Sequence, residues 1–231
     1  KFFAEKVGFQ DLRLAHQLVA AQMILLELND GPTDIRNKNL NNMYKDQKEF
    51  NASSPEAKKV LRTLDYLNKI FKENTPELKP YYAITLYLMI STLMDKYVIG
   101  NLEDNIFKFF LNFENYRQDE KNKSEEKDPE WMEFEDKVSH SSDSLSSLEW
   151  RHDFFITKFG IKFPDITLKD ENRNFSYEQR RSIWRRDMTC KIKIKCDGKK
   201  LKFSDMDADH IIPHSKGGKT IVSNGRASCP E

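Results

Sequence analysis

The chain has 231 residues, 38% of them apolar, with 38 Lys/Arg against 37 Asp/Glu, which suits one large globular domain or two modest ones. Its longest uncharged apolar run, Tyr81 to Met94, is diluted by Thr85, Ser91 and Thr92 and falls short of the roughly 20 apolar residues a bilayer requires, which excludes a membrane span there and predicts a buried helix. Three cysteines are an odd count that argues against a secreted disulfide framework; with no secretory signal visible, a reducing cytoplasm is expected, and with Lys1 in place of Met the native N-terminus is expected upstream.

Helical periodicity dominates the first part. From Asp11 to Asp30 a broad stripe of Leu12, Leu14, Ala15, Leu18, Val19, Met23, Leu25 and Leu26 predicts a helix stopped by Gly31-Pro32. Ser53-Ser54-Pro55-Glu56 supplies a Ser cap followed by Pro for a second helix running to about Lys72. Thr75-Pro76-Glu77 repeats the signal before the uncharged run, whose helix is expected to end near Ile99-Gly100. Another helix is predicted from Leu102 to Tyr116, burying Ile106, Phe107, Phe109, Phe110 and Phe113. Arg117 to Glu130 is almost wholly polar and reads as a loop or frayed end, and Ser139 to Ser147 reads as a second polar stretch. Ser147 is expected to cap a short helix carrying Trp150, Phe154, Phe155 and Phe159, ended by Gly160.

The main boundary is placed at 165/166, where periodicity gives way to turn residues: a helical domain 1–165 and a smaller module 166–231. The fold class expected is α+β, mainly α-helical at first and then a small ββα unit. Ser176-Tyr177-Glu178-Gln179 opens a helix with Ile183 and Trp184 inward and Arg180, Arg181, Arg185 and Arg186 outward. Short strands are predicted at Lys191–Lys195 and Leu201–Phe203, joined through Asp197-Gly198, and a further one at Asp207–Ile212. Residues 171 to 231 hold 14 Lys/Arg against 8 Asp/Glu, whereas the remainder holds 24 against 29. A polyanion would therefore meet the C-terminal part, because cations near phosphates release condensed counterions.

One constellation carries chemistry: Asp207-Ala208-Asp209-His210-Ile211-Ile212-Pro213-His214-Ser215-Lys216-Gly217-Gly218, with Ser223-Asn224-Gly225 downstream. An imidazole with a pKa of about 6.5 can accept a proton from water at neutral pH, and a carboxylate is what a hard divalent cation prefers. This segment closely resembles the core of the HNH endonucleases, in which a ββα-metal unit holds one divalent ion against the scissile phosphate. The resemblance implies that Asp209 binds Mg²⁺ or another divalent cation, that His210 is the general base, and that Asn224 holds the loop and the base in position. His214, Lys216, Lys219 and Arg226 are candidate DNA contacts; each is also ordinary loop chemistry.

Cys190 and Cys196 flank the first strand candidate, and Cys229 opens Cys229-Pro230-Glu231. Many HNH members brace this region with a four-cysteine zinc site, so the resemblance implies structural Zn²⁺ on Cys190, Cys196 and Cys229, with buried free thiols as the alternative. The first pair is spaced by five residues rather than the family's usual two. The family's last metal ligand, an Asn or His after a second cysteine pair, is expected beyond Glu231, which makes the module C-terminally incomplete.

A second resemblance covers more of the chain. Asp11-Leu12-Arg13-Leu14, Gln22-Met23, Asp34-Ile35 to Tyr44, and Leu148-Glu149-Trp150-Arg151-His152-Asp153 are similar to the helical middle region of GmrSD-like restriction proteins. It implies an upstream nucleotide-dependent sensor domain and a role in phage defence; a plain helical scaffold is the alternative. The reading is a metal-dependent DNA endonuclease, set against a non-catalytic, zinc-stabilised DNA-binding module on a helical interaction domain. RNA is disfavoured, since no stacking-aromatic platform is evident.

Overall fold

The computed structural model describes residues 1–47, 51–124, 126–193 and 196–230, without the side chain of Glu178. The chain divides into two units, one of Lys1–Met94 with Asn101–Pro164 and another of Asp95–Gly100 with Asp165–Glu231. The first is helical: α1 (Phe2–Glu5), α2 (Ala15–Leu28), α3 (Asn37–Asp46), α4 (Pro55–Ile70), α5 (Pro80–Lys96, its last two residues in the second unit), α6 (Glu103–Asn122), α7 (Pro129–Ser139) and α8 (Leu145–Lys162). No helix among the described residues is long and apolar enough to cross a membrane.

Capping explains several starts. The Ser54 hydroxyl accepts the Ala57 N–H at 3.1 Å with Pro55 in the first turn, and Ser144, three residues before the expected Ser147, caps α8. The predicted start of the first long helix is corrected: Leu12–Leu14 form a 3₁₀ turn and the α-helix begins at Ala15. Arg13 and Leu14 adopt positive φ while the Asp11 carboxylate accepts the His16 N–H at 2.9 Å, so Leu12 and Leu14 leave the expected buried stripe and are 71% and 64% exposed. Positive φ in such residues is uncommon and marks local strain.

The uncharged run forms the buried central helix α5, with every side chain from Tyr82 to Ser91 buried. A helix apolar on all faces belongs inside a core. Around Tyr82, α6, α7 and α8 supply Phe109, Phe110, Phe113, Trp131, Phe134 and Phe155, with Phe113 ring centroids 4.6 Å from Trp131 and 4.2 Å from Phe155. The stretch Arg117 to Glu130, expected as a loop or frayed helix end, is ordered helix at both of its ends: α6 continues through Asn122 and α7 begins at Pro129 under an Asp128 cap. Arg117 is buried and bonds Glu114 at 2.7 and 2.8 Å and Glu135 of α7, so charges that read as solvent-facing are internal pairs. Gly160 does not end α8, which runs to Lys162.

Residues of the second resemblance act as internal braces. Arg151 is 1% exposed and donates to the carbonyls of Ser147, Tyr81 and Ser142. Gln22 donates to Asp143, and His152 meets the Thr92 hydroxyl at 3.0 Å.

In the second unit α9 (Tyr177–Asp187) opens with a capping box between Ser176 and Gln179. It packs on an antiparallel pair, β1 (Asp207–His210) and β2 (Gly225–Ser228), in the register Asp209↔Arg226 and His210↔Gly225. The core comprises Phe175, Ile183, Cys190, Leu201, Met206 and Ala227. A Cβ at Gly225 would lie 2.2 Å from Ile183 Cδ1, so any larger residue there would force that buried side chain to shift.

The predicted strand at Leu201–Phe203 is corrected to a single bridge, Thr189↔Lys200, followed by a 3₁₀ turn over Phe203–Asp205. Of the strand predicted at Lys191–Lys195, residues 194 and 195 lie outside the described residues, and 191–193 form no strand. The partner of β1 is instead the Gly-Arg-Ala-Ser stretch of β2, for which no strand is predicted. Two arginines expected to face outward turn back onto the fold: Arg180 donates to the Met206 carbonyl, and Arg186 to the Val222 and Gly225 carbonyls.

Candidate functional site

Asp209 and His210 are the last two residues of β1, and the chain bends immediately after them at Ile211 and Ile212. Successive strand side chains leave on opposite faces, so the two groups start from β1 in different directions. The segment between the strands folds back on itself and is clamped by Asn224. Its Oδ1 accepts the Ile212 N–H at 2.9 Å, while Nδ2 donates to the carbonyls of Lys219 and Ile212 at 2.8 and 3.2 Å. The Asn224 backbone carbonyl takes the Ile211 N–H at 2.8 Å. Gly218 is needed for this closure, because a Cβ there would lie 1.8 Å from the Ile212 carbonyl oxygen.

His210 is half-buried. Its ring packs on Phe175 at 4.5 Å between centroids, and Nε2 lies 3.1 Å from the hydroxyl of buried Thr220. Burial, and then the neighbouring His214, push its pKa below the ordinary imidazole value, which favours the neutral form that can accept a proton. His214 lies 5.9 Å away ring to ring and donates Nε2–H to the Asp170 carbonyl at 2.6 Å.

The Asp209 carboxylate is 43% exposed and faces its cross-strand neighbour: Nε and Nη2 of Arg226 both bond Oδ2, at 2.9 and 2.7 Å. Among the described residues no hydrogen bond falls on Oδ1. An outward-facing carboxylate oxygen is a suitable donor for a hard cation, whereas the guanidinium beside it is a competing charge. Arg226 thus contacts Asp209 directly, while Lys216 and Lys219 are exposed on the loop.

Cys190, Cys196 and Cys229 converge, with their Sγ atoms all within 4.8 Å of one another and Cys196 to Cys229 at 3.5 Å. Thiolates on one tetrahedral zinc lie about 3.8 Å apart, given Zn–S bonds of about 2.3 Å, so this cluster fits three of four ligands. The backbone N–H of Lys193, and to a lesser extent that of Cys229, pulls the Cys190 thiol down to about 6 against the effect of burial. Thiolate, the form that binds metal, is then accessible near neutral pH. Cys190 belongs to the small core and Cys196 and Cys229 pack against it, whereas Asp209 and His210 are not part of that cluster.

Sequence reasoning missed a group of residues upstream. Asp170 accepts the Thr220 N–H at 2.9 Å on Oδ2 and the Asn172 N–H at 3.1 Å on Oδ1, and the Asn172 carbonyl accepts the Thr220 hydroxyl. Hydrogen bonds from the backbones of Thr220 and Asn172 hold the Asp170 carboxyl below its usual range. Apart from the ordinary Asx-turn spacing of Asp170 and Asn172, no sequence signal points to them.

The family model of the HNH endonucleases matches residues 189–231, a span that contains Cys190, Asp209, His210, Asn224 and Cys229. No curated protein and no solved structure is matched by the chain.

Proposed function

We propose that this protein is a metal-dependent DNA endonuclease whose nuclease module is residues 166–231, a ββα-metal unit of the HNH kind. The observation that carries the reading is the half-buried imidazole of His210, packed on Phe175 at a strand end and next in the chain to a carboxylate, within the stretch that matches the HNH endonucleases. In this reading His210 takes a proton from the attacking water. Asn224 keeps the loop closed, so that His210 stays aligned through the hydrogen bonds to Ile212 and Lys219. Asp209 would hold Mg²⁺ or another divalent ion, which when bound stabilises charge on the phosphoryl group and the leaving oxygen. Lys216 and Lys219 contact DNA phosphates, and His214 lies near enough to the base to border the same channel. Cys190, Cys196 and Cys229 hold a structural Zn²⁺ that steadies a small core.

The helical unit then serves as the scaffold through which a nucleotide-dependent sensor domain governs the nuclease in a restriction-type, antiviral role in the cytoplasm. The internal bracing by Gln22 and Arg151 supports a rigid relay.

A second reading is favoured by one observation: Arg226 occupies Oδ2 of Asp209, as it would in a zinc-stabilised module that binds DNA without cutting it. Plasmid cleavage separates the two. The full-length protein should nick or cut supercoiled DNA in Mg²⁺, stop in EDTA, and resume when Mg²⁺ is restored. DNA binding without metal-dependent cleavage would establish the second reading instead.

A further inference from the structure

We infer that Thr220, anchored by Asp170–Asn172, is a positioning residue that locks His210 as its Nε2–H tautomer, leaving Nδ1 as the atom that accepts the proton. The inference rests on the reading of His210 as the base and adds which nitrogen acts and what fixes it.

The Thr220 hydroxyl touches two partners, the Asn172 carbonyl oxygen and His210 Nε2 at 3.1 Å. A hydroxyl has one hydrogen, and a carbonyl oxygen can only accept. The hydroxyl hydrogen is therefore committed to Asn172, and Thr220 Oγ1 presents only lone pairs to the imidazole. Nε2 must carry the hydrogen, and in a neutral ring the lone pair is then at Nδ1.

The lock is built from more than one bond. Thr220 is 5% exposed, and each of its polar groups is engaged: N–H on Asp170 Oδ2 at 2.9 Å, carbonyl oxygen on Gln179 Nε2 at 2.9 Å, and hydroxyl as above. Gln179 is also the reciprocal residue of the α9 capping box, so the Thr220 backbone is held from the helix side as well as from Asp170. Phe175 on the ring face restrains rotation of the imidazole. Asp170 and Asn172 lie outside the 189–231 match, so this arrangement comes from the chain's own upstream segment.

In the reaction, an O–H bond of the attacking water breaks and its proton moves to Nδ1. The water oxygen forms the new P–O bond as the bond to the leaving sugar oxygen breaks, and that oxygen is protonated from solvent. The resulting imidazolium keeps its Nε2–H on Thr220, so the cation forms without reorganising its neighbours.

The test is two-bond ¹H–¹⁵N correlation spectroscopy on the full-length, ¹⁵N-histidine-labelled protein in Mg²⁺ buffer, at a pH where His210 is neutral, with a His210→Gln sample identifying its signals. The wild type should show pyrrole-like Nε2 and pyridine-like Nδ1. Thr220→Val should give mixed tautomers and cleave DNA about tenfold more slowly at unchanged DNA affinity, while Thr220→Ser restores the wild-type pattern. An Nδ1–H tautomer in the wild type overturns the inference whether or not a variant folds, as does a Thr220→Val protein with unaltered spectrum and rate. If the spectra behave as expected but His210→Ala still cuts at the wild-type rate, the lock stands and only the base role falls, so the two failures are distinct.

Discussion

At the scale of single residues, the ion pair between Asp209 and Arg226 is the contact with the most direct chemical consequence. A guanidinium on Oδ2 must be displaced or shared before that oxygen can face a cation, so Arg226→Gln, which removes the charge behind both hydrogen bonds, should tighten Mn²⁺ binding by roughly tenfold, or about 1.5 kcal/mol. Calorimetric titration of Mn²⁺ into both proteins checks this, and unchanged or weaker binding would show that Arg226 orients the carboxylate rather than competing for it. Asn224 offers a second test. Asn224→Asp keeps the acceptor for Ile212 N–H but turns two donors toward carbonyls into a carboxylate oxygen facing them. We expect a loss of about 2 kcal/mol in stability, read by urea unfolding of the second unit, with cleavage falling in parallel. The adjacency of Asp209 and His210 is plain in the sequence because it is covalent. Asp170, Asn172 and Phe175 were not legible as their companions, since nothing local records that a segment from before α9 returns against the strand end.

Among elements, caps and apolar periodicity were readable where they act locally: Ser54-Pro55 before α4, the Ser176–Gln179 box before α9, and the uncharged run that became α5. Elements held by distant partners were not. The end of α6 and the first residues of α7 read as a loop or frayed end because Arg117 and Glu120 look solvated in sequence, whereas Arg117 pairs with Glu135 of α7 and the Glu120 carboxylate accepts the Asp128 N–H. Strand β2, Gly225–Ser228, has no β-branched or aromatic residue and owes its conformation to β1. Two tests belong here. Ser176→Ala should cost the second unit about 1 kcal/mol by removing its half of the capping box. Asp187 accepts from Arg186 and from the Ala227 N–H, and the Arg186 guanidinium, ahead of that N–H, holds its pKa below the ordinary carboxylate value. Because the folded pKa is depressed, its contribution is present above the unfolded pKa of about 3.9 and is lost as pH falls through the lower folded value. Melting curves between pH 6 and pH 2 should therefore lose part of their acid-side slope in Asp187→Asn, which should also be less stable than wild type at pH 6; an unchanged acid limb would contradict the assignment.

For the molecule as a whole, the two units carry separate cores, an aromatic one in the helices and a small one that includes Cys190 and is flanked by Cys196 and Cys229. If those cysteines hold zinc, stripping it with a strong chelator should abolish amide-exchange protection in peptides covering β1 and β2 while leaving Tyr82 to Ile90 protected. Uniform protection in both units would argue for free thiols packed as small apolar groups. The excess of basic charge in the same C-terminal stretch fits a unit that meets a polyanion, as the opposite balance in the helices fits a scaffold that does not. In the proposed function His210 performs chemistry on DNA rather than merely completing a fold. Single-turnover cleavage of a short duplex, with affinity measured in the same samples, tests it most directly: His210→Ala should bind within about threefold of wild type and cleave at least 100-fold more slowly, on the scale of losing a general base. A variant that cuts at the wild-type rate would contradict the account.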